Sequence, residues 1–314
     1  MSWRQLGVVF APKGDWDWSR THAQAPSAIV MGDRIRVYYG TRNAENRSRT
    51  SFFEVDRKDP TSLVYVHDKP VMDFGKPGTH DEDGVIASQA VEVGEELRLY
   101  YGGVSRGGHV PYRMSVGLAR SLDGGLTFER VFEGPVIDRT PFEPYMTMAP
   151  NMVRTAQGWT MWYGSGTGWV DVEGKFEPTY QIKVAFSDDG IVWRQTNHAC
   201  IPKLDPMEAN TRPSVLETAD GYEMWFCYRS AQDYRDGPGS YRIGYAVSRD
   251  GLTWKRRPDP EGLQPTGGGW NAKTMAYPSV VSADGRRIMF HNGDGFGTTG
   301  VGVAILDADA GAST

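Results

Sequence analysis

Short apolar segments alternate with turn residues along the chain, and the pattern recurs five times. Each repeat begins with an apolar segment that carries one small polar marker residue. The markers are Ser27, Ser88, Asn151, Ser214 and Ser279, separated by 61, 63, 63 and 65 positions. Short runs rich in β-branched and aromatic residues between turn signals predict strands. Their near-constant spacing predicts a repeat architecture.

Two more apolar segments follow each marker. The second carries a large aromatic residue, at Tyr39, Tyr101, Tyr163, Phe226 and Phe290. In the middle repeats the third leads into Ser-x-Asp-Gly, starting at Ser121, Ser187 and Ser248. Asp-Gly turns supply the positive φ angles of tight hairpins, so each repeat predicts a four-stranded meander. Such a meander cannot bury both faces alone, whereas radial repetition buries each against its neighbours. We therefore predict an all-β, five-bladed β-propeller around a central channel.

The predicted blades form one domain over residues 1–314. Their approximate limits are 22–80, 81–142, 143–205, 206–270 and 271–314. The last repeat ends soon after its third strand, so the N-terminal segment 3–12 is expected to supply the missing outer strand and close the ring. A pair of β-sandwiches or a solenoid is the alternative, and near-constant spacing over nearly the whole chain disfavours both.

The composition argues against several classes of binding partner. The net charge is −5 and no run of Lys or Arg occurs, which argues against nucleic acid. The N-terminus has no basic region followed by an apolar stretch, and no apolar run approaches the roughly 18 residues of a membrane span. The only cysteines, Cys200 and Cys227, show no metal-ligand spacing. A reduced, cytoplasmic protein without a disulfide or a membrane partner is expected.

Loops on one face of such a wheel should converge on the channel mouth. Those loops contain acids, Arg, His and Trp, which suit a saccharide because sugar rings stack on indoles and sugar hydroxyls pair with charged groups. The expected partner is a small saccharide or glycoside. The expected substrate-binding residues are His22, Gln24, Arg42, Trp169, Arg212, Arg229, Trp270 and Asp294.

Several motifs carry a resemblance to known proteins. They are Thr21-His22-Ala23, Asp83-Gly84-Val85, Glu208 with Arg212-Pro213, Tyr241 to Ala246, and Asn292 to Gly297. On these the sequence resembles the five-bladed clan of glycoside hydrolases that includes invertase, levansucrase and arabinanase relatives. It looks most like the arabinanase-like propellers of polysaccharide-biosynthesis clusters, some related to the N-terminal region of glucosamine inositolphosphorylceramide transferase. The resemblance spans essentially the whole chain and implies an enzyme that cleaves or transfers a glycosidic bond.

Glycoside hydrolysis uses two carboxylates, about 5 Å apart for retention or about 6.5–9.5 Å for inversion. The expected catalytic residues are Asp83 as base or nucleophile, Glu208 as acid and Glu143 as a third, pKa-tuning carboxylate. The alternative is that Asp83 begins a turn with Gly84 and that both glutamates are solvated loop acids. Clan members carry an Asp at the entrance to the first blade, where this chain has His22 and Gln24. His22 either binds substrate, acts as a base or joins two blades by a hydrogen bond.

Two further motifs predict the roles of particular residues. Pro213 is expected to hold Arg212 extended and to direct its guanidinium into the channel. The alternative for Arg212 is an ion pair with Glu208 or Glu143. The segment from Ser121 to Phe128 resembles the Asp-box of sialidases, a hairpin turn remote from any active site.

The sequence is compatible with three functions. The leading one is a carbohydrate-active enzyme, glycosidase or transglycosylase, acting through paired carboxylates. The second is a non-catalytic sugar-binding propeller that has lost the first-blade acid, and the third a protein scaffold that uses the outer rim. Some clan members hold calcium in the channel, but no dense oxygen-ligand loop is present, so no metal or cofactor is expected.

Overall fold

The computed structural model describes residues 2–156, 158–235 and 237–306. Throughout these residues the regular structure is β-strand, apart from two short 3-10 turns at Gly269–Asn271 and Gly295–Gly297. The all-β prediction is confirmed. Residues 307–314, which the sequence assigned to the last repeat, lie outside the described residues. Within the described ranges, no helix has the length and apolar character needed to cross a membrane. Cys200 and Cys227 are free and buried.

The described residues contain twenty strands in four sheets, which are antiparallel apart from one parallel bridge. In chain order they are β1 Arg4–Phe10, β2 Thr21–Met31, β3 Arg34–Arg42, β4 Ser48–Asp56, β5 Leu63–Val66, β6 Gly84–Val93, β7 Glu96–Arg106, β8 Tyr112–Ser121, β9 Glu129–Arg130, β10 Thr147–Thr155, β11 Gly158–Val172, β12 Lys175–Ser187, β13 Arg194–Ala199, β14 Glu208–Thr218, β15 Gly221–Ser230, β16 Arg242–Ser248, β17 Lys255–Arg257, β18 Ala276–Ala283, β19 Arg286–Asn292 and β20 Val301–Leu306.

The sheets are four-stranded meanders or are built from them. Strands β10–β13 form one sheet and β14–β17 another. The largest sheet holds two meanders, β2–β5 and β6–β9, joined by a single parallel bridge between Ser48 and Gly84. In the remaining sheet, β18, β19 and β20 are completed by β1, where Arg4 lies opposite Ile305 and Phe10 opposite Val301. The two ends of the chain therefore share one sheet.

Side chains at or beside the marker positions connect each meander to the next. In each case a side-chain oxygen on one first strand accepts a hydrogen bond from a backbone N–H on the following first strand. The bonds are Gln89 Oε1 with Met152 N (2.6 Å), Asn151 Oδ1 with Val215 N (2.9 Å), Ser214 Oγ with Val280 N (2.8 Å) and Ser279 Oγ with Ala28 N (2.8 Å). Between the first and second meanders, Thr50 Oγ1 on β4 accepts from Ala87 N at 3.0 Å. Edge-strand amides that would otherwise be unpaired are satisfied in this way.

The Ser-x-Asp-Gly segments form a second set of connections. Asp123 Oδ1 accepts hydrogen bonds from the backbone N–H groups of Leu126 and Thr127, which closes the hairpin turn. A glycine carbonyl in each turn then accepts a hydrogen bond from a buried aromatic residue on the preceding meander. These bonds join Tyr38 to Gly125 (3.1 Å), Tyr100 to Gly190 (2.5 Å) and Trp162 to Gly251 (2.7 Å). The turns therefore lock neighbouring meanders together, as their Asp-box resemblance implied for a structural role.

Ser214→Ala tests the connections between first strands. The substitution leaves the buried N–H of Val280 without its acceptor, and an unpaired buried amide costs about 1–3 kcal/mol. We expect the free energy of unfolding in urea to fall by about that amount. Ser62→Ala, at an exposed turn serine, is the control and should leave it unchanged. Equal stability of Ser214→Ala and wild type would contradict a role for this bond.

Candidate active site

The bulges in the first strands decide which side chains enter the central cavity. In four of these strands the residue before a proline has positive φ: Ala25 (54°), Ala149 (49°), Arg212 (52°) and Tyr277 (57°). At each of them the pairing with the second strand shifts register. A bulge bends a strand and redirects a side chain, and all four residues line the same cavity. The expected extended backbone at Arg212 is therefore wrong, because a left-handed bulge turns its side chain inward.

The cavity has a volume of about 450 Å³. Five residues expected from sequence line it: Gln24, Arg42, Asp83, Arg212 and Arg229. The lining also includes side chains that were not among the expected substrate-binding residues, namely Arg106, Tyr112, Tyr180, Tyr234, Arg235, Tyr241, Tyr277 and Phe296. The repeat indicates a common position for two of them, since Tyr112 begins the third strand of its meander and Tyr241 immediately precedes the third strand of another.

Arg212 crosses from the fourth meander to the first two. Its Nη2 donates to the carbonyl oxygens of Ala25 (3.1 Å) and Pro26 (2.7 Å), and its Nη1 reaches that of Ala87 (3.5 Å). Burial lowers the pKa of Arg212 to about 10. The alternative expectation, an ion pair with Glu208 or Glu143, is wrong, because both carboxylates have other partners.

Arg229 is surrounded by tyrosines. Its Nε donates to the hydroxyl oxygens of Tyr180 (3.0 Å) and Tyr241 (3.3 Å), and its guanidinium lies 3.9 Å from the ring centroid of Tyr234. Burial raises the pKa of Tyr180 well above its usual value, so its hydroxyl stays neutral at physiological pH.

Arg42 is a third, partly buried cation of the cavity. Its Nη2 donates to Gln24 Oε1 at 2.7 Å and its Nη1 to Asn46 Oδ1 at 3.1 Å. Burial lowers its pKa. Among the described residues, no carboxylate pairs with Arg42, Arg212 or Arg229.

Asp83 is the one carboxylate in the described lining of the cavity. It lies immediately before β6, and its Oδ2 accepts the backbone N–H of Arg106 at 2.8 Å. Its Oδ1 lies 3.7 Å from Arg47 Nε and 3.9 Å from Arg106 Nε. The side chain keeps 20% of its surface exposed, so a ligand can reach it.

Glu143 and Glu208 do not line the cavity, so the expected pairing of Asp83 with Glu208 does not form. Glu208 binds Arg256 Nη1 on the outer strand β17, at 2.9 and 3.0 Å. Both oxygens of Glu143 accept from the Tyr163 hydroxyl at 2.9 Å. Glu143 and Asp81 occupy equivalent positions in their repeats. Asp81 likewise accepts a hydrogen bond from a second-strand tyrosine, Tyr101 (3.0 Å), and it accepts another from an outer-strand cation, Arg130 (2.7 Å).

Asp83 stands two positions beyond Asp81, the acid that binds Tyr101. Glu208 occupies the same repeat position as Asp83, 18 residues before the second-strand aromatic residue, but it binds Arg256 and does not line the cavity. Neither glutamate is the solvated loop acid considered as an alternative, because Glu143 and Glu208 are both buried. The acid–tyrosine pairs Asp81–Tyr101 and Glu143–Tyr163 are equivalent in the repeat, since the two acids are 62 positions apart and so are the two tyrosines.

The other expected ligand-binding residues lie outside the described lining. His22 Nδ1 contacts Thr21 Oγ1 at 2.8 Å, and burial together with the charge of Arg42 lowers its pKa to about 4, so the ring is neutral at physiological pH. Trp169 packs edge-on against Tyr112 with ring centroids 5.6 Å apart, so it supports the lining from behind.

Trp270 and Asp294 organise a loop of the last meander. Trp270 packs on His291 with centroids 5.1 Å apart, and its carbonyl accepts the backbone N–H of Asp294 at 2.9 Å. The Asp294 carboxylate in turn accepts the backbone N–H groups of residues 272, 273 and 274. Both residues have structural partners that account for their positions.

The cavity does not suit the calcium ion held by some clan members. Calcium takes six to eight oxygen ligands, several of them carboxylates. Here one carboxylate, Asp83, shares the described lining with five arginines. Such a set of groups repels a divalent cation.

No family model matches the sequence. Two proteins of Mycobacterium tuberculosis, the uncharacterized proteins MT1551 and Rv1502 from different strains, are each 35% identical to it over 309 residues. Each match covers 98% of this chain and the whole of the mycobacterial protein. The chain belongs to the family of these two proteins.

Solved structures share the fold at low sequence identity. A glycoside hydrolase superposes with a TM-score of 0.73 at 14% identity, covering 98% of this chain and 93% of its own. A thermostable family-43 glycoside hydrolase gives 0.65 at 18% identity, with 91% and 89% covered. A structure described with the GH130 family of mannoside phosphorylases and glycoside hydrolases gives 0.69 at 13%, with 98% and 93% covered. The chain therefore has the propeller-like fold of these glycoside hydrolases, as its sequence resemblance implied.

Glu208→Gln tests the structural assignment of that residue. It removes the anion beside buried Arg256, and breaking a buried ion pair costs about 3–5 kcal/mol. We expect a loss of that size in the free energy of unfolding. The double variant Glu208→Leu/Arg256→Met, which removes both charges, should lose much less. A fully stable Glu208→Gln protein that had lost its activity would restore the catalytic assignment.

Proposed function

We propose that the protein is a carbohydrate-active enzyme that binds a saccharide in the central cavity and acts on a glycosidic bond there. The observation that carries the proposal is the position of Asp83, the one carboxylate in the described lining of a cavity otherwise rich in tyrosine and arginine. Ligand pockets of about 300–1,000 Å³ with aromatic walls and a few polar groups are typical of small-molecule sites. The propeller-like fold shared with glycoside hydrolases supports this reading at the level of architecture.

We further propose that the five meanders are the five blades of a closed ring. The hydrogen bond from Ala28 N to Ser279 Oγ joins the last first strand to the first one, and β1 pairs with β20. These two contacts support closure by both side chains and main chain. The cavity is then the channel of the ring, and each blade corresponds to one sequence repeat.

In the proposed chemistry, Asp83 acts as the general base. It takes the proton from the hydroxyl that attacks the anomeric carbon, whether that hydroxyl belongs to water or to an acceptor sugar. The glycosidic C–O bond breaks as the new bond forms, and the departing oxygen takes a proton from solvent and leaves as the alcohol. The tyrosine hydroxyls, kept neutral by burial, donate hydrogen bonds to sugar oxygens; burial raises the pKa of Tyr112 to about 12. The two-carboxylate mechanism expected from sequence is not retained, because Glu208 and Glu143 are held by Arg256 and Tyr163.

The second candidate is a sugar-binding propeller without catalysis. It is favoured because Glu208 and Glu143 bind Arg256 and Tyr163 and do not line the cavity. The cavity therefore lacks the second carboxylate that ordinary hydrolysis uses. Either function would suit the cytoplasmic protein and the small saccharide partner expected from sequence.

Asp83→Asn separates the two candidates. Asparagine keeps an acceptor for the Arg106 N–H but cannot take a proton. If Asp83 is the base, kcat/KM for a nitrophenyl glycoside hydrolysed by the wild type should fall about 10²- to 10⁴-fold, with unfolding unchanged. Asp188→Asn, an exposed acid, is the matched control. Full turnover by Asp83→Asn would overturn the mechanism. Saccharide binding without turnover by the wild type would favour the second candidate.

A further inference from the structure

We infer that the central cavity selects an anionic saccharide, and that Arg42, Arg212 and Arg229 hold its phosphate or carboxylate group. The saccharide part of this inference rests on the proposed function. The anion part does not, because it follows from the charges of the cavity and can be measured without any reaction.

The charged side chains that line the cavity are mostly positive. Five arginines and one aspartate line its described part, although the chain as a whole carries a net charge of −5. One of the five, Arg235, pairs with Glu177 at 3.0 Å, whereas Arg42, Arg212 and Arg229 have no carboxylate partner among the described residues. A concave site lined by one sign of charge, with walls of low dielectric, concentrates ligands of the opposite sign. The excess of positive charge therefore favours an anion over a neutral sugar.

Other buried or partly buried arginines of the chain have a carboxylate partner. Arg36 Nη2 lies 2.7 Å from Glu54, Arg130 Nε lies 2.7 Å from Asp81, and Arg256 Nη1 lies 2.9 Å from Glu208. The fold thus supplies a carboxylate to arginines that it removes from water, as the high cost of an unpaired buried charge requires.

Three of the cavity arginines lack such a carboxylate partner. Arg42, Arg212 and Arg229 have only carbonyl, amide and hydroxyl oxygens as hydrogen-bond acceptors among the described residues. Burial lowers the pKa of Arg212 to about 10, which is the effect expected where no anion balances the charge. An anionic ligand would supply the missing countercharge.

Arg212 has hydrogen-bond donors left over. A guanidinium has five N–H donors in a planar fork that matches phosphate and carboxylate oxygens. Arg212 uses only its two Nη atoms in hydrogen bonds within the described residues, and it lines the cavity, so its remaining donors are available to a ligand.

The size of the cavity indicates that the anion is carried by a larger molecule. About 450 Å³ is within the range of pockets that take drug-sized ligands, so there is room for sugar rings beside the anion. The rings of Tyr112, Tyr241 and Phe296 offer apolar faces to such rings. Free inorganic phosphate would leave those faces unused.

Calorimetric titration of the wild type tests the inference directly. The probes are glucose 1-phosphate, glucose 6-phosphate, glucuronic acid, glucose and inorganic phosphate. We expect at least one anionic sugar to bind at least tenfold more tightly than glucose, with an affinity that weakens as salt rises. Glucose binding as tightly as every anionic sugar would overturn the inference. Inorganic phosphate matching the best sugar phosphate would overturn the assignment of the anion to a saccharide.

Arg42→Gln tests the named residues. It should weaken binding of the anionic sugar about tenfold or more, and weaken it more than binding of glucose, because a charge-assisted hydrogen bond to the anion is lost. Arg249→Gln, at an exposed turn arginine, is the matched control. Arg229→Gln, checked for folding by urea unfolding, is a second variant at another blade. Unchanged affinity for the anionic sugar in both folded cavity variants would overturn the assignment.

The two proposals can fail separately. Binding of an anionic sugar that no Asp83-dependent turnover accompanies would support the inference while the enzymatic function failed. Turnover of neutral glycosides that is lost in Asp83→Asn, together with anionic sugars binding no more tightly than glucose, would support the function while the inference failed.

Discussion

The hydrogen bond between a marker side chain and the next first strand is the contact on which the rest of the structure depends. A first strand is the edge of its meander, and its backbone amides need acceptors that its own sheet does not provide. Asn151, Ser214 and Ser279 provide them for the following meander. Because these bonds hold the first strands side by side, the bulges that those strands carry face a common space.

The charged residues of the protein fall into two sets, one that pairs within the meanders and one that lines this space. Asp81, Glu143 and Glu208 lie within the meanders, where each binds a tyrosine or a cation of its own meander. They stiffen the sheets and are unavailable to a ligand. The cavity receives Arg42, Arg212 and Arg229, which have no carboxylate partner among the described residues, together with Asp83. Asp83 is thereby the candidate for proton transfer.

The bulges show how a local conformation produces a functional position. A residue before proline normally prefers an extended backbone. In four first strands it has positive φ instead, and the register shifts there. At Ala25 and Ala149 the inward position holds a methyl group, which leaves room in the cavity. At Arg212 and Tyr277 the same backbone position delivers a guanidinium and a phenol. The repeat thus keeps one geometry and varies the side chain.

The sequence by itself determined the repeat, the strands within it and the turns between them, because these depend on residue periodicity and on turn residues that act locally. It also identified Asp83, Gln24, Arg42, Arg212 and Arg229 as cavity residues, since entry and exit loops of a repeat meet on one face. Only the tertiary structure decided that Glu143 and Glu208 are internal partners of Tyr163 and Arg256 and that Trp270 and Asp294 build a loop. The direction of a side chain at a bulge, and the partner that claims a carboxylate, depend on contacts between segments far apart in the chain. Such contacts leave no mark in the hydrophobic pattern of either segment alone.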